Sequence, residues 1–228
     1  MKVAVIPARG GSKRIPRKNI RHFGDKPMLA HPLLAARHSG IFDHIIISTD
    51  DNEIADIACQ WGGEVPFIRP PELADDFSDT GAVVAHAAAW MRERGWTVDA
   101  ICCIYATAPF VLAQDLVRGW DVFANGGWDL VFSATTFAFP IQRAFRQLPG
   151  GGIMLFQPEY LHTRSQDLEE AYHDAGQFYW ATGAGWEAGK AVFGENATPV
   201  ILPRWRVQDI DTQEDWSQAE IIWKVINP

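Results

Sequence analysis

Short apolar runs rich in β-branched residues alternate along this chain with longer stretches of helical period, and that alternation restricts the fold more than any other feature. Lys2–Ile6, His44–Ser48, Val65–Ile68, Asp99–Tyr105 and Asp129–Ser133 read as strands. Pro27–Ser39, Asn52–Trp61, Thr80–Arg94 and Ala113–Asn125 read as the helices between them. Near-continuous apolar strands are covered on both faces, which calls for a parallel sheet flanked by helices. The expected class is therefore α/β, with right-handed crossovers. The rhythm breaks after Thr135, where residues 137–172 carry PIQRAF, PGGG and LFQPEYLHTRSQDLEEAY, a hairpin-like excursion with a polar tip. Gln177–Trp180 and Pro199–Leu202 read as two more strands before a C-terminal helix, Thr212–Val225. No repeat or low-complexity linker divides the chain, so one domain is expected over residues 1–228, with an inserted arm at 137–176.

In open α/β sheets, ligands sit beyond the carboxyl ends of the strands. The loop after the first strand holds Arg9, Lys13, Arg14, Arg17, Lys18 and Arg21, six cations in 13 residues of a chain that has 20 in all. Gly10, Gly11 and Ser12 let the backbone turn tightly from Ala8 onward and bring N–H groups close to an anion. Pro16 stiffens the second half. A triphosphate, with about four negative charges, suits such a mixture of backbone donors and cations. The alternative, a solvated basic loop, leaves the mutual repulsion of these charges unbalanced. The loop contains neither GxxxxGK[ST] nor GxGxxG, which disfavours a P-loop NTPase and a nicotinamide dehydrogenase.

The whole chain carries a formal charge of −8, against the sign expected of a nucleic-acid binder or a polybasic membrane-surface protein. No apolar run reaches the ~18 residues that span a bilayer. Cys59, Cys102 and Cys103 show no zinc-site spacing, and adjacent cysteines on a strand point to opposite faces, so buried thiols in a reducing compartment are expected. The expected location is the cytoplasm.

Asp209 and Asp211 flank Ile210 in an extended segment, where residues i and i+2 share a side. Two readings fit the pair. Both carboxylates can hold one Mg²⁺ that completes its shell with phosphate oxygens and water. Alternatively, Asp211 caps the helix beginning at Thr212 and Asp209 is simply exposed. Among Asp50 and Asp51 at the end of the second strand, Asp51 reads as the cap of the helix starting near Asn52. Asp79 reads as the cap of the helix that starts at Thr80.

IPARGGSKRIPRKN at Ile6–Asn19 resembles the signature of the cytidylyltransferases that activate nonulosonic acids, the sialic acids and their bacterial relatives. The likeness continues through STDD at Ser48–Asp51, RPPELA at Arg69–Ala74, TAP at Thr107–Pro109 and DIDT at Asp209–Thr212. RSQDLEEA, HDAGQFYW and QDIDTQEDW resemble the branch of that family acting on pseudaminic acid. The resemblance implies a three-layer α/β/α, Rossmann-like nucleotide-diphospho-sugar transferase fold, with the arm at 137–176 joining a homodimer. It implies that CTP and a nonulosonic acid are the substrates, a divalent cation is the cofactor, and CMP-sugar and diphosphate are the products. Nucleotide contacts are expected from Ala8, Arg9, Gly10, Gly11, Ser12, Lys18, Asn19, Arg69 and Thr80, with Asn19 reading the cytosine edge. Arg9, Lys18 and Asp211 are the expected catalytic residues, and Asp209 and Asp211 the metal ligands. The general base stays open between Asp211 and a metal-bound hydroxide.

A sugar acid needs cations for its carboxylate and aromatic or amide partners for its hydroxyls. Tyr105, Arg164, Gln166, His173, Asp174, Gln177 and Tyr179 are the candidates, Arg164 by its match to an arginine of the family's arm. His173 stands near where the sialic-acid branch has a second arginine, and Tyr105 where it tends to have glutamine. Both departures favour a nonulosonate other than N-acetylneuraminate; pseudaminic acid is the expected acid by the motifs above, with N-acetylneuraminate or legionaminate as the alternative within the family. A non-catalytic nucleotide-sugar sensor is the alternative from another class.

Overall fold

A computed structural model describes residues 1–75, 78–191 and 193–227. After β1 (Lys2–Pro7), the chain runs through the basic loop into a two-stranded ribbon, β2 (His22–Phe23) and β3 (Lys26–Pro27), before α1 (Ala30–Ser39). The helix expected from Pro27 therefore starts three residues later, because Lys26 and Pro27 pair with Phe23 and His22. Then follow β4 (His44–Ser48), α2 (Asn52–Gln60), α3 (Thr80–Glu93), β5 (Ala100–Ile104), α4 (Ala113–Gly126) and β6 (Leu130–Thr136). The excursion contains the hairpin β7 (Phe145–Gln147) and β8 (Ile153–Leu155). The chain returns along β9 (Tyr172–Ala181) to α5 (Gly183–Glu187), β10 (Ala197–Ile201) and α6 (Gln213–Ile226).

The main sheet has the order β10-β6-β9-β5-β1-β4. It is parallel except for β9, which enters antiparallel between β5 and β6. Sequence pattern alone does not show this reversal, since a strand buried on both faces is equally apolar in either direction. β9 also begins at Tyr172, so His173 and Asp174 belong to the sheet rather than to the arm. The third expected strand, Val65–Ile68, is not one. Only isolated bridges flank it, from Glu64 to Ile46 and from Ile68 to Thr49.

The alternation of β1 explains the three layers. Ala4 and Ile6 pack with α1, α2 and α4 on one face, while Val3 and Val5 pack with α3 and α5 on the other. Cys102 and Cys103 divide in the same way and are buried free thiols. Cys59, expected to be buried, is exposed on α2.

A third cluster decides where the chemistry goes. Ile15 from the basic loop, Phe23, Met28, Phe110, Ile210 and Trp216 pack together beside the sheet. Ile15 and Ile210 are both almost fully buried; Arg14 precedes the first, and Asp209 and Asp211 flank the second. Burying these two side chains in one core brings Arg14 and Lys18 next to Asp209 and Asp211, nearly 200 residues away along the chain.

Candidate active site

The caps sort the acidic residues by role. Asp51 accepts from the Ile54 N–H and Asp79 from the Ala82 N–H, as expected of N-caps. The cap of α6, however, is Thr212, closed into a capping box by Asp215. The capping alternative for Asp211 is thereby removed, and its carboxylate faces the basic loop. Arg14 reaches it at 2.7 Å and Lys18 Nζ at 3.2 Å, with Lys18 also donating to the Ile210 carbonyl at 2.6 Å. Burial, and then the charge of Asp211, raises the Asp209 carboxyl above the ordinary carboxylate range.

The basic loop is held in shape by its own contacts. Arg17 adopts a left-handed φ of 55° and is fixed by Asp51 at 2.5 Å and by Glu53. The bond to Arg17 is the main reason that Asp51 lies below the ordinary carboxylate range. Gly10 donates to Asp50 Oδ1 at 3.1 Å, and a Cβ at Gly10 would come within 2.6 Å of Asp51 Oδ2. Only glycine lets the backbone pass that close. Asn19 is buried, its Nδ2 donating to the Arg9 carbonyl at 2.9 Å. That leaves its amide oxygen as the group to offer a ligand, and an acceptor there suits the exocyclic N4–H₂ of cytosine.

Beyond the carboxyl ends of β1 and β5 lies a cavity of about 370 Å³. Arg9, Ser12, Lys18, Asn19, Arg69, Thr80, Tyr105 and Asp211 line it, as do Lys13 and Arg14 from the same loop. Arg69 is 4% exposed, and its Nε has no partner among the described residues. Its Nη2 lies 3.3 Å from Asp50. Burial lowers its basicity, and the nearby charge of Arg9 opposes it further. A buried guanidinium with an unused donor, beside another cation, is the electrostatic signature of an anion site.

Sequence reading missed Asp75 and Ser78 on this wall. Arg9 Nη1 donates to the Asp75 carbonyl at 2.9 Å, and the Ser78 hydroxyl to Asp75 Oδ1 at 2.7 Å. They follow the RPPELA stretch, and no local pattern marks them as facing the first loop. Thr107 from the quoted TAP motif also reaches the cavity.

The sugar candidates divide. Tyr105 lines the cavity. Burial raises its phenol above the usual range, so it stays a neutral hydroxyl at physiological pH. Gln177 is 3% exposed and spends its Nε2 on the Arg206 carbonyl at 2.6 Å, within the protein interior. It was expected at the sugar; instead it ties β9 to the segment leading to Asp209. Tyr179 is also buried, behind Tyr105. Arg164 is exposed and paired with Asp167 at 2.7 Å in its own turn, Gln166 is exposed in the same turn, and His173 packs its ring on Phe137. None of these three lines the cavity of the same chain. Ala8, Gly10 and Gly11 shape the loop behind it.

Comparison with known proteins bears directly on this geometry. The chain is 41% identical to a pseudaminic acid cytidylyltransferase of Campylobacter jejuni subsp. jejuni, over 98% of this chain and 96% of that protein. It is 32% identical to the CMP-N,N'-diacetyllegionaminic acid synthase of Legionella pneumophila, over 96% of this chain and 94% of the relative. In three dimensions it resembles a CMP:2-keto-3-deoxy-manno-octonic acid synthetase solved with CTP, with a TM-score of 0.69 at 14% identity and 99% coverage of both chains. A 4-diphosphocytidyl-2C-methyl-D-erythritol synthase from Anaerococcus prevotii superposes with a TM-score of 0.65, again at 14% identity and with 98% of both chains covered. These two likenesses establish the nucleotidyltransferase fold. The cytidylyltransferase family pattern matches residues 3–139. With that match and the near full-length identity to curated members, the chain belongs to the cytidylyltransferase family.

Proposed function

We propose that this protein transfers CMP from CTP to a nonulosonic acid, with pseudaminic acid as the preferred acceptor. The observation that carries the reading is the cavity itself. It joins the loop cations and the buried, incompletely partnered Arg69 to the Tyr105 hydroxyl in one space, the mixture of groups that a triphosphate and a polyhydroxylated acid require. The near full-length likeness to the Campylobacter enzyme supports the choice of acid.

The anomeric hydroxyl attacks the α-phosphorus, the new P–O bond forms, and the α–β bridge breaks with its electron pair leaving on diphosphate. The hydroxyl proton passes to a base. Catalysis of this kind is positioning and charge stabilisation. Arg9, Lys13, Arg14 and Lys18 stabilise the charge that develops on the phosphates. The N–H groups of Ala8, Gly10 and Ser12 are given to the Ser48 carbonyl, Asp50 and the Gly10 carbonyl, and so fix the shape of the loop that carries these cations. Asn19 accepts from the cytosine amine, and Arg69 and Thr80 hold the rest of the nucleotide. Asp209 and Asp211 fit one Mg²⁺. The two carboxylates share one side of an extended segment, and their mutual repulsion is relieved by a cation. Such an ion would complete its shell with substrate oxygens and water. When bound, such an ion neutralises phosphate charge. Lys18 and Arg14 hold Asp211 in place for it.

The test is diphosphate release from CTP, UTP, GTP and ATP against pseudaminic, legionaminic and N-acetylneuraminic acids with Mg²⁺. Release is expected with CTP, fastest with pseudaminic acid. No release with any of the three acids overturns the proposal.

The arm is the proposed dimer contact. Phe139, Phe145, Ile153, Phe156 and Leu161 are all more than half exposed on it, an apolar surface larger than isolated side chains explain. Seated against a second copy, the arm would carry Arg164 toward the partner's sugar. Arg164→Ala is then expected to raise KM for the acid about tenfold, the worth of one charged hydrogen bond, and to leave KM for CTP within about twofold. Equal effects on the two substrates would count against this role.

A further inference from the structure

Residues 207–211, which carry the acidic pair, belong to no helix or strand, so no ladder of backbone bonds fixes where Asp209 and Asp211 stand. Side chains hold the segment from two directions. On one side Ile210 is buried with Ile15, while Lys18 and Arg14 hold Asp211. On the other, the segment leaves a single helical turn, Arg204–Arg206, whose last side chain is paired with Asp115. Gln177 Nε2 donates to the Arg206 carbonyl at 2.6 Å, three residues before Asp209.

An irregularity in β9 aims Gln177 at that carbonyl. Asp174 Oδ1 accepts the Gly176 N–H at 2.9 Å, closing a turn in which Gly176 has φ of 60°. The register of β9 on β6 shifts over the same stretch, between Phe132 and Ala134. Where the ladder is interrupted, the buried Ser133 hydroxyl accepts from the Gln177 and Phe178 N–H groups, each at 3.1 Å. Bulges of this kind re-aim side chains near sites. The Gln177 carbonyl in turn accepts the Tyr105 N–H at 2.9 Å. One residue therefore joins the Tyr105 wall of the cavity, through its backbone, to the acidic segment, through its side chain.

Glutamine is a costly choice at this position. Its Oε1 is buried and has no hydrogen-bond partner among the described residues. An unpaired buried acceptor is destabilising, and an apolar side chain of the same length would avoid it. What the amide alone supplies is the donor to Arg206. A local rule broken in the interior beside a site is the mark of a functional constraint.

We propose that Gln177 is a positioning residue for nucleotidyl transfer: its bond to the Arg206 carbonyl fixes the stance of Asp209 and Asp211 toward the cavity, and with it their hold on a divalent cation. The proposal rests on the cytidylyltransferase reading above and adds to it the residue that places the acidic pair.

Gln177→Met keeps the length and loses the donor; Gln177→Asn keeps the amide and is one carbon too short to reach. In Gln177→Met the unpaired Oε1 is exchanged for an Arg206 carbonyl without this donor, so the thermal unfolding midpoint is expected near wild type. CTP affinity is measured by calorimetry with Mg²⁺ and again with EDTA. Both variants are expected to bind CTP about tenfold more weakly with Mg²⁺, and within about twofold of wild type without it. That loss corresponds to a shift smaller than the 1 Å displacement that costs ~10²-fold. The kcat of diphosphate release should fall by about the same factor, with KM for the acid within about twofold. Wild-type affinity for CTP with Mg²⁺ in folded Gln177→Met overturns the proposal. So does an equal loss with and without the cation, which marks a merely structural bond. If Gln177→Met does not fold, Gln177→Asn decides by the same criteria. The calorimetry needs no acid, so a wild type inactive on every acid refutes the functional reading while this test still decides the role of Gln177.

Discussion

Lys18→Ala should lower the rate of diphosphate release by at least ~10²-fold, the range seen when one charge-stabilising group is removed from a preorganised site. Lys18 Nζ is mostly buried and sits between the Ile210 carbonyl and Asp211, at the edge of the cavity that Arg9 and Arg69 also enter. Its loss removes a cation from the polyphosphate and one of two clamps on Asp211, so both charge stabilisation and the acidic pair suffer. Lys18→Arg is expected to restore only part of the rate, since a planar guanidinium cannot take the place of a compact ammonium at the Ile210 carbonyl. Near-normal turnover in Lys18→Ala would put the phosphates elsewhere. Asp209→Ala should cost a similar factor, with a higher Mg²⁺ requirement for any residual rate.

The second large effect is on stability. Asp115, 1% exposed on α4, is ion-paired with Arg206, 6% exposed, and with Arg118 at 2.8 Å. Arg206 also receives Gln177 on its carbonyl. Asp115→Ala strands a buried guanidinium and should cost about 3–5 kcal/mol of unfolding free energy. A urea titration followed by tryptophan fluorescence measures it. Arg206→Met should cost less, because Arg118 still faces Asp115. Asp115→Leu/Arg206→Met should recover most of the loss, as apolar replacements of buried pairs commonly do. A loss below about 1 kcal/mol in Asp115→Ala would mean the pair is solvated rather than buried. The cluster bears on function too, since it anchors the segment that ends in Asp209 and Asp211.

Features set by neighbours in sequence were legible. The capping residues Asp51 and Asp79, the apolar strands and the crowded cations of the first loop all follow from interactions a few residues long. The wall of the cavity that the first loop builds was therefore visible as a string of residues. The placement of β9 was not. Tyr179, Gln177 and Asp174 read as pocket residues because they are polar and close together, yet a strand that turns at Gly176 sends two of them into the interior. Asp115 and Arg206 drew no notice, because their partners lie some ninety residues apart.

By itself the sequence determined an α/β chain with a cation-crowded loop at the end of its first strand, because backbone propensity, apolar period and charge density are local quantities. The tertiary structure decided which residues meet that loop. It ran β9 antiparallel through the middle of the sheet and freed Asp211 by giving the helix cap to Thr212. It also brought the acidic pair to the cations by burying Ile15 and Ile210 in one core. The physical reason is that burial rewards apolar area wherever along the chain it comes from, so the partner of a charged residue is chosen by the packing of its apolar neighbours.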